Sequence, residues 1–373
     1  MYERAEARID LGALRHNCGE LRRRVGPEVE LCPVLKADGY GHGAAHCAAA
    51  AIAAGSDRIA VATAREALQI RAVDSGIPIL VLGALAPGEV DVAVSAGADV
   101  SVWDPAFAAA VERSARRAGR KVGVHVKYDT GMGRLGNLDP EEVTAIARSV
   151  ADSPHLGLEA VWTHFATADE PDTGFMDQQR ERLAGLADRL RTQFPGIIVH
   201  AANSAALISD PATHFDLVRP GVAVYGMDPF GHDPAQQNLE PVLSLHSYVA
   251  TVKRFEAGMS AGYGRTWTAG GPTTVVTVPV GYGDGVRRAL SNRGEVLIGG
   301  RRHPIAGTVS MDNITVEVGD AEVTVGDEVT LIGSQGEESI TAEQVAGTLG
   351  TINYEVTCGI SPRVPRAASG GSD

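Results

Sequence analysis

Leu31-Cys32-Pro33-Val34-Leu35-Lys36-Ala37-Asp38-Gly39-Tyr40-Gly41-His42-Gly43 reads as a short apolar strand that ends on a lysine and turns through glycines. An alanine-rich run of helical length follows it. The same strand, turn and helix texture recurs to about residue 226, with strands expected at 31–35, 58–62, 77–82, 100–103, 122–127, 158–163, 197–200 and 222–225. Eight strands separated by helices is the count of a closed parallel (β/α)8, TIM-like barrel, with a doubly wound open sheet as the alternative. One expected helix, 176–193, places apolar residues at helical spacing with arginines on the far face.

After Asp228-Pro229 the texture changes to a loop rich in Gly, Pro, Asp and Gln. Valine-, threonine- and isoleucine-rich runs follow at 243–253, 273–280, 295–298, 313–318 and 328–332. Only 342–349 reads as a helix there. The expected organisation is therefore an α/β barrel over residues 1–235 and a mostly-β domain over 236–373.

The 373 residues carry a net charge of -13, which argues against a nucleic-acid surface built on clustered Lys and Arg. No apolar run is long enough to span a bilayer, and residues 1–21 hold charges where a signal peptide would be apolar, so the expectation is cytoplasmic. Four cysteines without a Cys-x-x-Cys pair suggest neither a disulfide scaffold nor a zinc site. The tail from Ala367 is Gly/Ser-rich and expected to fray.

Chemistry in a barrel sits where strands end, at the C-terminal mouth. Lys36 at such an end, partly desolvated, becomes a nucleophilic amine suited to a Schiff base with a carbonyl cofactor; a solvent-reaching lysine is the plain alternative. His42 and His46 stand four apart but have no third ligand nearby, so no metal is expected. Gly131-Met132-Gly133-Arg134-Leu135-Gly136 matches a dinucleotide fingerprint formally, yet it follows the fifth strand and lacks the βαβ opening. Arg134 in that bend is better suited to bidentate capture of a carboxylate. The segments after the later strands carry His164, Asn203, Ser204, Arg219, Gly221 and Val222, where barrels often bind phosphate through backbone N–H groups. A phosphate handle and a lysine at one mouth point to pyridoxal 5'-phosphate (PLP). In the β domain, Tyr263, Tyr282, Met311 and Asp312 lie in glycine turns, and Tyr354 follows the helix.

Taken together, from residue 8 to 366, these segments resemble the alanine racemase family. The resemblance implies a barrel, a β domain and a head-to-tail homodimer with shared active sites that interconverts L- and D-alanine for peptidoglycan. By it, Lys36 binds PLP and is one base, and Tyr263 of the partner subunit is the other. Tyr40, His164, Asn203, Ser204, Arg219, Gly221, Val222 and Tyr354 would hold the cofactor, with Arg219 at the pyridine nitrogen. Arg134 and Met311 would meet the substrate carboxylate, Lys127 matches a lysine often carbamylated, and Tyr282 and Asp312 match the entry corridor. The family's usual Gly-Arg is Gly307-Thr308 here, which leaves open a broader small-amino-acid (serine) racemase. A PLP decarboxylase of the same architecture is the enzyme rival, although those usually place a carboxylate where Arg219 stands.

Overall fold

The computed structural model describes residues 3–170 and 174–370. Its strands in the first half are β1 (Glu6–Asp10), β2 (Glu30–Leu31), β3 (Ile59–Val61), β4 (Ile79–Val81), β5 (Asp99–Val102), β6 (Val122–Lys127), β7 (Leu156–Trp162), β8 (Ile198–His200) and β9 (Leu217–Val218). The described chain divides into two compact units, one of residues 15–39 and 44–224, the other of 3–14, 40–43 and 225–370.

In the first unit all eight strands run parallel in the order β2-β9-β8-β7-β6-β5-β4-β3. A parallel bridge from Val34 to Ala60 joins the two ends of the sheet, with Leu35 N–H donating to Ala60 O at 2.8 Å and Ala60 N–H to Pro33 O at 2.9 Å. The sheet is thus curled on itself, as eight short strands separated by helices require, and it is not a doubly wound open sheet. Its strands are buried on both faces, with Ile59, Ile79, Leu80, Val100, Val124 and Val161 fully enclosed. Each such side chain contributes about 1.5–3 kcal/mol through burial.

The surrounding helices begin where the sequence supplies caps. Thr63 and Glu66 form a reciprocal capping box at Ala64–Val73. Asp104 caps Pro105–Ala118, which has proline in its first turn and stops at Gly119 in a left-handed conformation. The helix expected at 176–193 is Phe175–Gln193.

The eighth strand is not at 222–225, as the sequence suggested, but at β9, where Leu217 pairs with both Glu30 and His200. Val222–Tyr225 is a short 3-10 turn. The N–H groups of Gly221 and Ala223 both donate to Ser204 Oγ, which draws the segment out of the ladder although its apolar side chains are buried.

The second unit adds β10 (Leu243–Tyr248), β11 (Thr251–Phe255), β12 (Ser260–Ala261), β13 (Trp267–Thr268), β14 (Thr273–Val278), β15 (Glu295–Ile298), β16 (Arg301–Pro304), β17 (Ile314–Gly319), β18 (Glu328–Gln335), β19 (Glu338–Ile340) and β20 (Arg366–Ser369). Its main sheet runs β16-β15-β18-β10-β1-β20, with β19 on β18, beside a three-stranded sheet β11-β14-β17 and the pair β12-β13. The run expected as one strand at 243–253 is two, because the chain changes sheet at Val249-Ala250: their N–H groups donate to Asp327 O and Thr277 O. Part of the tail expected to fray is β20, which pairs in parallel with β1 from Ala7 to Asp10; residues 371–373 lie outside the described residues. The expected helix Ala342–Leu349 is present, and a second short one, Asn353–Cys358, follows it.

Cys18, Cys32 and Cys47 are buried thiols and Cys358 is exposed. Among the described residues no helix is long and apolar enough to cross a membrane, and no group of three His, Cys, Asp or Glu is placed to hold a metal.

Candidate active site

Lys36 follows the closing bridge of the barrel and opens an unusual turn. Ala37, Asp38, Gly39 and Tyr40 all have φ between 52° and 63°, a left-handed turn in which three of four residues carry a side chain. Each such residue costs roughly 1–2 kcal/mol, so the turn persists only because other contacts hold it. Glu66 Oε1 accepts from Ala37 N–H at 2.7 Å, Leu35 O accepts from Gly39 N–H at 3.0 Å, and Asp38 Oδ1 accepts from Ala44 N–H at 2.8 Å. The strain fixes where the lysine leaves the sheet.

Lys127 ends β6 and is buried, with its Nζ 3.9 Å from the centroid of the Trp162 ring. Burial, with Arg219, Arg134 and Lys36 as like charges, lowers its pKa to about 7. A neutral amine is therefore accessible there at neutral pH.

The glycine-rich segment after β6 is organised by Asp129. Its carboxylate accepts from Gly131 N–H at 2.9 Å, Gly133 N–H at 3.1 Å and Arg134 N–H at 3.2 Å. Those N–H groups already serve an internal anion, so the loop is no dinucleotide cradle. It presents Arg134 exposed.

Arg219, just after β9, is buried and donates in several directions. Nη1 reaches His200 Nδ1 at 2.6 Å; Nη2 reaches Ala201 O at 2.8 Å, Thr163 O at 3.0 Å and His164 Nδ1 at 3.4 Å. Burial lowers its pKa to about 10, which leaves it charged. Burial and the surrounding cations hold His164 well below its usual pKa, so it is neutral. Its Nδ1 accepts from Arg219, which puts the proton on Nε2.

Asn203 caps the helix Ser204–Ser209 by accepting from Ala206 N–H at 3.0 Å. Ser204 Oγ draws in the backbone of 221–223, and among the described residues no acceptor meets the Val222 N–H between the two it binds. Orphaned N–H groups at a helix start and a tight turn suit an anion.

Sequence reading did not single out Gln179, fully buried on the helix Phe175–Gln193. It donates to Thr130 Oγ1 and His164 O, each at 3.1 Å, and accepts from Ala166 N–H at 2.8 Å, tying the loops after β6 and β7 together. No spacing signal marks it, because its partners lie 13 to 49 positions away.

In the second unit, Tyr40 is buried with its ring 5.1 Å from Tyr225 and 6.0 Å from Tyr354. His42 packs on Tyr225 and donates from Nδ1 to Tyr40 O at 3.0 Å, a role in building the turn. Tyr263, Tyr282 and Met311 come to one surface. Tyr263 and Ser310 line the same shallow hollow, Tyr282 N–H donates to Ser310 O, and Gly283 N–H donates to Met311 O. Tyr263 is 74% exposed and Met311 52%. Thr308, the departure noted in the sequence, donates from Oγ1 to Tyr263 O at 2.9 Å. Asp312 is held below the usual carboxylate range by its hydrogen bond from Arg363.

A closed barrel with two lysines and an arginine within electrostatic reach at its strand ends, followed by a β-rich unit, places the chain in the two-domain α/β barrel class. Family profiles for the alanine racemase N-terminal domain and C-terminal domain match residues 9–229 and 242–368. The chain belongs to the alanine racemase family, whose members are isomerases. It is 46% identical to the alanine racemase of Symbiobacterium thermophilum over 98% of this chain and 97% of that one. With the alanine racemase of Desulforamulus reducens it shares 41% identity over 99% and 100%. The crystal structure of alanine racemase from Streptomyces lavendulae superposes with a TM-score of 0.94 at 36% identity, over 100% of this chain and 98% of that one.

Proposed function

We propose that this chain interconverts L-alanine and D-alanine by a two-base mechanism with PLP as cofactor, in a homodimer whose active sites are shared. The observation that carries this is the pairing of a lysine fixed by a strained turn with an arginine, not a carboxylate, buried between two neutral histidines. That arginine is what separates the reading from a decarboxylase of the same architecture.

The residues fit the cofactor. Lys36 would hold it covalently; Ser204, the Val222 N–H, Gly221, Tyr40 and Tyr354 would take its phosphate, with Asn203 capping the helix that carries Ser204. Arg219, a permanent donor with no proton-accepting form near neutral pH, would face its ring nitrogen and leave it unprotonated. When bound, the group supplies an electron sink that acidifies the Cα–H of an amino acid.

The chain's own groups then divide the proton work. A racemase must remove the Cα proton on one face and return one on the other, which requires two groups. Lys36 takes one face, and Tyr263 of the partner subunit takes the opposite one. A tyrosine of ordinary pKa about 10 is a weak base at neutral pH. His164, whose proton sits on Nε2, would donate to that tyrosine's oxygen in the dimer. Arg134 meets the substrate carboxylate, with the backbone of Met311 of the partner subunit beside it. Exposed Tyr263, Tyr282 and Met311 on one surface support this reading, since a cluster of large exposed side chains marks a face that another molecule covers.

Lys127 is the candidate for carbamylation: a neutral amine among arginines reacts with carbon dioxide to give an anion they stabilise. Mass spectrometry under native conditions would show one added carbon dioxide, lost in Lys127→Ala. The proposed setting is the cytoplasm, with D-alanine destined for peptidoglycan. The Bacillus anthracis alanine racemase, 36% identical and solved with bound L-Ala-P, supports alanine as the substrate class. Thr308 keeps a broader reading, including serine, in view.

Incubation of the PLP-loaded protein with L-alanine in deuterated water tests the reaction. It should yield D-alanine with deuterium at Cα. Release of carbon dioxide, or unchanged configuration with cofactor bound, would overturn the reading.

A further inference from the structure

Barrel interiors of this kind are ordinarily filled by branched apolar side chains. Here a file of polar groups runs through the interior from the start of the strands to their ends. Arg58, next to β3, is ion-paired to Asp99, the first residue of β5. Asp99 Oδ2 lies 3.7 Å from His125 Nε2, in the middle of β6. His125 Nδ1 lies 2.9 Å from His200 Nε2, and His200 Nδ1 lies 2.6 Å from Arg219 Nη1. Both imidazoles are completely buried. The Trp162 ring is stacked on His200, 5.4 Å away at 11°, and fixes its plane.

The hydrogen bonds along this file, with the charge of Asp99 beyond them, set where the protons sit. A guanidinium has donors only and a carboxylate acceptors only. His200 Nδ1 accepts from Arg219 and its Nε2–H finds an acceptor in His125 Nδ1, so both neighbours together favour the Nε2–H form of His200. His125 then carries its own proton on Nε2, toward Asp99. Asp99, at 3.7 Å, is beyond hydrogen-bond distance and makes no hydrogen bond to that nitrogen, but its negative charge favours the same orientation. Reversing either ring would set two donors or two acceptors face to face and leave a buried group unmet. Burial and nearby arginines also keep both rings neutral.

We infer that His125 is a positioning residue for Arg219, with the charge of Asp99 biasing its ring: by accepting from His200 it secures one tautomer along the file, which orients the guanidinium as a donor at the barrel mouth. The inference rests on Arg219 being the cofactor's ring-nitrogen partner, as proposed above. Without His125 as acceptor, the Nε2–H form leaves a buried donor unmet while the Nδ1–H form faces the guanidinium, so neither tautomer is held, and the Nδ1–H form pushes the guanidinium out of register with Thr163 O and Ala201 O.

Long-range 1H–15N spectra of histidine-labelled protein test this without reference to activity. Wild type at neutral pH should show two neutral rings with the proton on Nε2, assigned as His125 and His200 by substitution; an Nδ1–H form on either overturns the inference. His125→Leu removes the acceptor for His200 and should give it mixed tautomers. In the loaded enzyme kcat for alanine should then fall at least about tenfold with KM within about twofold. His125→Asn places an amide oxygen near the lost Nδ1, and should restore both the single tautomer and most of kcat. A His200 that stays purely Nε2–H in His125→Leu, or a wild-type kcat in that variant, contradicts the role. If His125→Leu does not fold, the wild-type spectrum and His125→Asn still decide. Absence of racemisation in wild type would instead strike the proposed function, leaving the tautomers to be read on their own.

Discussion

Lys127 shows how one residue's environment becomes measurable. Its pKa of about 7, against an ordinary 10.5, means the unfolded chain binds a proton through that window which the folded chain does not. Stability contributed at this position therefore rises with pH from about 7 toward 10.5, and the penalty of burying the ammonium is fully present below about 7. Between pH 7 and 9 the gain is on the order of 2 kcal/mol. Chemical denaturation in bicarbonate-free buffer should show wild type gaining that much relative to Lys127→Met; parallel pH dependences would contradict the assignment. At Tyr263, substitution by Phe keeps the ring and deletes the acid–base group. Steady-state kinetics should show kcat reduced about 10²–10⁴-fold while the cofactor stays bound. Equal loss of cofactor would mean the tyrosine has a structural role.

Among the elements, the turn from Ala37 to Gly43 is strained and leaves little room. Gly41 has φ +84°, and a Cβ there would lie 2.2 Å from the backbone oxygen of Thr357. Neither can give way cheaply, so Gly41→Ala should lose several kcal/mol and lower the thermal midpoint by well over about 4 °C, read by circular dichroism. This turn was legible in the sequence, because glycines after an apolar strand and a lysine restrict what the backbone can do. So was the barrel, from the alternation of β-branched strands with alanine-rich helices. Val222–Tyr225 was misread because the sequence pattern reports burial, and those residues are buried without a ladder partner. β1 and β20 escaped notice because their partners are more than two hundred residues apart in the chain. Likewise Asp99, His125 and Gln179 carry no local signature: they are polar residues in strands or a helix whose meaning depends on which neighbour the register brings opposite.

On the scale of the whole molecule, the assigned groups fall into two sets: Lys36, Lys127, Arg134, His164, Ser204 and Arg219 in the barrel unit, and Tyr40, Tyr354, Tyr263, Tyr282 and Met311 in the β-rich one. In the proposed dimer, Lys36 of one subunit works with Tyr263 of the partner subunit. Subunit exchange between two inactive homodimers, Lys36→Ala and Tyr263→Phe, tests it most directly. Each mixed dimer would hold one site with both defects and one with neither, so mixing should restore alanine racemisation to a substantial fraction of wild type. If the two variants exchange subunits, as shown by mass-tagged chains, yet the mixture stays as inactive as its parents, the two bases belong to one chain and the shared active site is wrong.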